Sequence, residues 1–127
     1  MKKAISIPNA PPPVGPYSQA ILSGNMLFVS GQVPLNPANG KLVNDSIEAA
    51  THQVMQNIHS LLSAAGFQWN DVVKCSIFLQ NLNDFSAVNT IYASYFDEIP
   101  PARETVEVAR LPLNVQIEIS CIAIKSK

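Results

Sequence analysis

The segment Val115-Gln116-Ile117-Glu118-Ile119-Ser120-Cys121-Ile122-Ala123-Ile124 alternates strictly. In an extended chain, Val115, Ile117, Ile119, Cys121 and Ala123 fall on one side, and Gln116, Glu118, Ser120, Ile122 and Ile124 on the other. The first set is apolar and belongs against a core. The second mixes polar and aliphatic residues, which suits neither a solvated surface nor a full core. This asymmetry predicts a sheet with helices on one side and its other side buried in an oligomer.

The elements upstream agree. Pro100-Pro101 forbids helix and forces an extended approach to a strand over Arg103 to Ala109, which Leu111-Pro112-Leu113-Asn114 separates from the last strand. Val72 to Leu79 is rich in β-branched residues and reads as another strand. Between these two lies a helix capped by Asn83 or Asp84, with Phe85, Val88, Tyr92, Tyr95 and Phe96 on one stripe, stopped by Ile99-Pro100-Pro101. A longer helix starts at an Asp45 N-cap, with Glu48 completing a capping box. It carries Ile47, Ala50, Val54, Ile58, Leu61, Leu62 and Ala65 at helical spacing, and Gly66 stands where a left-handed residue ends a helix. Tyr17 to Leu22 and Met26 to Ser30 form a hairpin through Ser23-Gly24-Asn25. Gly31 ends its second strand, and Pro34, Pro37 and Asn39-Gly40 mark a long turn. Pro8 to Pro16 is a stiff, proline-rich entry loop. The order β-β-α-β-α-β-β implies one α+β domain over residues 1–127, a mixed sheet with two helices packed on one face.

Composition narrows the function. Hydrophobic residues make up 47% of the 127 and charged residues only 13%, which again points to surface buried against another subunit. Net charge is −1 and the eight basic residues are dispersed, so the electrostatic footprint of a nucleic-acid binder is missing. Cys75 and Cys121 fall inside predicted strands without metal-ligand spacing and read as reduced core thiols. His52 and His59 lie on the polar face of the first helix without an i,i+4 partner, so no metal site is expected. Phosphate-loop, dinucleotide and Ser-His-Asp patterns are missing too, and chemistry without a cofactor is expected. The N-terminal residues lack an apolar signal core and no run approaches membrane-spanning length, so a cytoplasmic protein that does not engage a membrane is expected.

Few residues remain to carry chemistry. Arg103, at the start of a strand behind a rigid Pro-Pro lead, presents a planar five-donor fork suited to bidentate capture of a small carboxylate. The alternative is an ion pair with Glu104, Glu107 or Glu118; Glu104 points to the opposite face, whereas Glu107 and Thr105 share the arginine's face. Glu118, flanked by isoleucines, is either desolvated enough for proton transfer near neutral pH or simply solvated on an open face. Tyr17 can orient a ligand or pack. Ser30-Gly31 permits close backbone approach or only ends a strand. Asn89 is a cleft residue or a surface polar one.

Gly15-Pro16-Tyr17-Ser18-Gln19, Ser30-Gly31-Gln32 with Pro34, Asn57, Asn83-Asp84-Phe85 followed by Val88-Asn89, Pro101-Ala102-Arg103, Val106-Glu107-Val108-Ala109-Arg110-Leu111-Pro112 and Ile117-Glu118-Ile119 occur in one order. In this the chain resembles the RidA (YjgF) family of reactive-intermediate deaminases over essentially its full length. The resemblance implies a chorismate-mutase-like fold and a homotrimer with ligand clefts between neighbouring subunits. It implies hydrolysis of 2-iminopropanoate, 2-iminobutanoate and their enamine tautomers to 2-keto acids and ammonia. Arg103 then clamps the substrate carboxylate, Glu118 handles water, and Tyr17, Ser30, Gly31 and Asn89 line the cleft. One departure is Glu104-Thr105, where many members have Ser-Cys. A thiol role is excluded there, and the Thr105 hydroxyl is left to help hold ligand or water. Two other functions stand beside deamination: a non-catalytic keto-acid-binding regulator using the same cleft, and an RNA-cleaving translation inhibitor, ranked last for want of basic clustering.

Overall fold

A computed structural model describes residues 1–7 and 15–126. Most of the proline-rich entry loop therefore lies outside the described residues. The strands are β1 (Lys2–Ile5), β2 (Ala20–Ser23), β3 (Met26–Gln32), β4 (Leu35–Asn36), β5 (Lys41–Leu42), β6 (Val72–Leu79), β7 (Ala102–Glu107) and β8 (Ile117–Ile124). The helices are α1 (Ile47–Ala64) and α2 (Phe85–Ala93).

The alternating segment forms β8, near the centre of a six-stranded sheet of order β1-β2-β3-β8-β6-β7. Val115, Ile117, Ile119, Cys121 and Ala123 are all buried, together with Cys75, Ile77 and Leu79 of β6 and Val54, Met55, Ile58, Leu61 and Leu62 of α1. Helices thus cover one face, as the pattern requires. The sheet is antiparallel except for β6 and β7, which run parallel. A parallel pair needs a long crossover, and α2 supplies it. The register carries Ile21 and Phe28 across to Ile122, and Phe78 to Glu118 and Val106, on the uncovered face. Phe28 and Val106 remain 41% exposed there, so this is the mixed face that the alternation of β8 anticipates.

Helix α1 ends as expected. Gly66 has φ 80°, its N–H donates to the Ser63 carbonyl at 3.0 Å, and Phe67 N–H donates to Leu62 at 2.8 Å, a left-handed double closure. Its start differs. Ser46, not Asp45, is the N-cap: its backbone is extended, and its Oγ accepts from Ala49 N–H at 3.0 Å. Other boundaries also move. β2 begins at Ala20, leaving Tyr17 in the turn before it, where its N–H donates to Gly15 O at 2.9 Å. The long turn holds the β4–β5 pair, and β1 adds an edge strand against β2 that no hydrophobic pattern announces. α2 closes at Ala93, before Tyr95 and Phe96. Asp84 stands at its N-cap position without a side-chain bond, because Asn81 caps the short turn ahead of it. β7 ends at Glu107, and β8 starts only at Ile117 because Leu113 and Asn114, at φ 60° and 54°, turn the chain through left-handed conformations.

Candidate functional site

Strand β7 is an edge strand, and its register puts Arg103 beside Cys75 and Thr105 beside Ile77, on the helix-covered side. The Arg103 guanidinium lies over two rings of α2, 5.0 Å from the Tyr92 centroid and 5.5 Å from that of Phe85. Each such contact holds the cation through the negative ring face while its in-plane N–H groups stay available. Residues 85, 89 and 92 share one helix face, so Asn89 stands on the face that carries the two rings.

None of the three carboxylates weighed as partners engages the arginine. Glu104 is on the other face, paired with Lys74 at 3.0 Å and accepting from the Ser76 hydroxyl, which together hold it below the usual carboxylate range. Glu107 accepts from Leu82 N–H at 2.9 Å and so fixes the turn that starts α2. Glu118 is on the opposite face of the sheet. Around Arg103, meanwhile, Asn89 Oδ1 and Thr105 Oγ1 are buried without a hydrogen-bond partner among the described residues. Buried polar atoms are normally paired, so this edge is built for a polar occupant. The Tyr92 hydroxyl is buried beside the Cys75 thiol and makes no regular hydrogen bond. Burial raises both groups above their ordinary pKa, so neither is a nucleophile or a base near neutral pH.

The second cluster is on the uncovered face. Glu118 stands opposite Phe78, and partial burial raises its carboxyl above the ordinary range. Its side chain lies across Gly31 of β3. A Cβ at Gly31 would fall on the carboxylate, 2.6 Å from the carboxyl carbon. Gly31 has no positive φ, so glycine serves here for space and not for backbone freedom. Ser30 is engaged structurally: its hydroxyl donates to Ser18 O at 2.7 Å and its N–H to Gln19 O at 2.9 Å. Gln116, on the face of Glu118, has a buried Oε1 without a partner among the described residues. Tyr17 is 50% exposed in the turn ahead of β2.

Five of the singled-out residues therefore form two groups, while Tyr17 stays in the turn ahead of β2 and Ser30 is spent on its bonds to Ser18 and Gln19. Arg103, Thr105 and Asn89 gather at the β7 edge of the helix-covered side, while Glu118 and Gly31 gather on the uncovered side. One chain does not bring Arg103 and Glu118 together. The aromatic bed under Arg103 has a sequence signal only in hindsight, since Phe85 and Tyr92 read as core stripe. Among the described residues no three of His, Cys, Asp and Glu are placed to hold a metal ion, and no helix is long and apolar enough to cross a membrane.

Residues 7–125 match the family model described as Endoribonuclease L-PSP. A RutC family protein of Pyrococcus horikoshii is 51% identical over 125 residues, covering 98% of this chain and 99% of its own. Reactive Intermediate Deaminase A, chloroplastic, of Arabidopsis thaliana is 49% identical over 96% of this chain and 65% of its own length. The crystal structure of E. coli TdcF with bound serine superposes with a TM-score of 0.92 at 36% identity, covering 98% of this chain and 99% of that one.

Proposed function

Since the chain belongs to the Endoribonuclease L-PSP (RidA/YjgF) family, we propose that it hydrolyses short 2-imino acids, in exchange with their enamine tautomers, to 2-keto acids and ammonia. The observation that carries this reading is Arg103, held on two aromatic rings and, among the described residues, without a carboxylate partner and flanked by the unpaired Asn89 and Thr105 oxygens. That is a receptor for a small carboxylate with a neighbouring polar group. Serine bound to TdcF is a ligand of this kind, and a relative at 49% identity is named for deamination.

A fixed carboxylate aims the adjacent imine carbon at a positioned water. Water adds to that carbon while Glu118 takes its proton, giving a carbinolamine. Glu118 then returns the proton to nitrogen, the C–N bond breaks, and ammonia leaves as the carbinolamine hydroxyl passes its proton to the Glu118 carboxylate and the carbonyl forms. A protonated imine is already electrophilic, so the step draws on no metal or cofactor. Arg103 and Glu118 lie on opposite faces of one sheet, so a site holding both takes the arginine from one copy and the glutamate from another. Phe28 and Val106, exposed apolar residues of the mixed face in one chain, support the same arrangement, in which a homotrimer covers that face between copies.

The test is to generate iminopyruvate from serine with a dehydratase and follow its decay. Acceleration by the wild type that is lost in Arg103→Ala is expected. An unchanged decay rate, or full activity in Arg103→Ala, overturns the reading. Serine in TdcF also favours a second function, ligand sensing through the same arginine. Thermal protection by serine or a keto acid without faster imine loss would decide for it.

A further inference from the structure

Pro34 has no N–H, so the turn after β3 lacks a main-chain donor at its centre. Asn57 of α1, a buried side chain, serves the carbonyls on either side. Its Nδ2 donates to Val33 O at 3.1 Å and to Leu35 O at 2.9 Å. Its Oδ1 accepts from Gln53 Nε2 at 2.9 Å, which fixes the way the carboxamide faces. Both donor bonds of this buried group are thus committed to one turn, and its acceptor to Gln53 on the same helix.

That turn anchors the Gly31 segment from downstream. Val29 pairs with Cys121 and Gln32 with Ile119, so β3 carries one residue more than β8 over this stretch, a β-bulge. Upstream, the two bonds from Ser30 to Ser18 and Gln19 tie the bulge to the chain entering β2. Downstream, the tie from another layer of the fold is Asn57. Glu118 rests on Gly31 with no room for a Cβ, so the place of the bulge sets the place of the carboxylate.

We propose that Asn57 is a positioning residue for Glu118: its carboxamide bridge holds the Gly31 bulge against the Glu118 side chain and so keeps the carboxylate where it handles water. This rests on Glu118 as the proton carrier. On that face of the sheet the charged groups are Lys74 of β6 and Glu104 of β7, paired with each other, and Lys2 on the far edge strand β1, while β3 presents none; in the shared site the Arg103 of another copy faces the carboxylate as well. Displacing the bulge changes the hydration of Glu118 and leaves the charged groups of its own sheet face as they are.

The experiment follows the Glu118 carboxyl by 13C NMR titration, assigned through Glu118→Gln, together with imine-decay kinetics well below every melting temperature. It compares wild type with Asn57→Ala, Gln53→Ala and the core control Val54→Ala. Asn57→Ala is expected to lower kcat about tenfold or more with KM nearly unchanged. It is also expected to move the Glu118 titration toward the ordinary carboxylate range by about half a unit or more. Gln53→Ala moves both in the same direction by less. Val54→Ala lowers stability and leaves both in place. A destabilised Asn57→Ala with wild-type titration and kcat overturns the proposal, because Asn57 is then only a structural bond. Should Asn57→Ala not fold, Gln53→Ala decides alone, an unmoved titration counting against it. Should wild type leave imine decay unchanged, the deaminase reading fails while the titration still tests the positioning.

Discussion

Replacing Gly31 by alanine adds one methyl group where β3 meets the Glu118 side chain. The new carbon would sit 2.6 Å from the Glu118 carboxyl carbon and 2.9 Å from its Cγ, where ordinary contact begins at 3.4 Å. The carboxyl group must therefore withdraw by about 0.8 Å or more. The backbone at Gly31 suits alanine, since φ there is not positive. The atoms that must give way belong to the free end of a side chain, so the stability cost is about 1 kcal/mol, the low end for overpacking. For a domain of this length that is a melting shift of about 3–4 °C. Catalysis should suffer far more, because displacing a reacting group by about 1 Å costs about a hundredfold. The assay is iminopyruvate decay at a temperature where both proteins are folded, beside a thermal melt. A small loss of stability with a large loss of kcat is expected. A wild-type rate in a protein with the lowered melting temperature would refute the placement of Glu118 as the proton carrier.

Burial raises the Glu118 carboxyl above its ordinary value, and the group is a base only when ionised, so kcat/KM should rise with pH through a midpoint above about 4.3, and Glu118→Gln should remove that limb with most of the rate. A raised folded-state pKa contributes stability in full below the unfolded value and loses it as pH rises through the folded one. The stability of wild type relative to Glu118→Gln, read from urea midpoints, should therefore fall across that window, and a constant difference would contradict the burial. Leu113 holds φ 60° with its side chain exposed, so Leu113→Gly should raise stability by about 0.5–1 kcal/mol, the relief of left-handed strain exceeding the added chain entropy, and a lower urea midpoint would count against this.

The fold was legible where a pattern is local. The alternation from Val115 to Ile124 predicts both faces of β8, and Gly66 marks the end of α1 because a left-handed closure has few other residues to use. The start of α1 shifts by one residue because Asp45 and Ser46 are both good caps, and only geometry chooses between them. Lys2–Ile5 has no hydrophobic signature as an edge strand; pairing with β2 is what defines it. Period two likewise groups Arg103 with Thr105 and separates both from Glu104. It says nothing of Glu118, because faces on different strands are related only through register. The pairs Cys75 with Arg103 and Cys75 with Cys121 show that Arg103 shares the face of the core cysteines, leaving Glu118 on the other. The aromatic bed under Arg103 and the bridge from Asn57 to Val33 and Leu35 are contacts between distant elements, which no spacing encodes.

Mixing two inactive variants tests the shared site most directly. Arg103→Ala keeps Glu118, and Glu118→Gln keeps Arg103. If each site draws these residues from different copies, denaturing the variants together and refolding them at equal amounts should restore about a quarter of the wild-type rate of imine decay, from random assortment of subunits in a closed ring. Activity in the mixture no greater than that of the separate variants would contradict a deaminase site shared between copies.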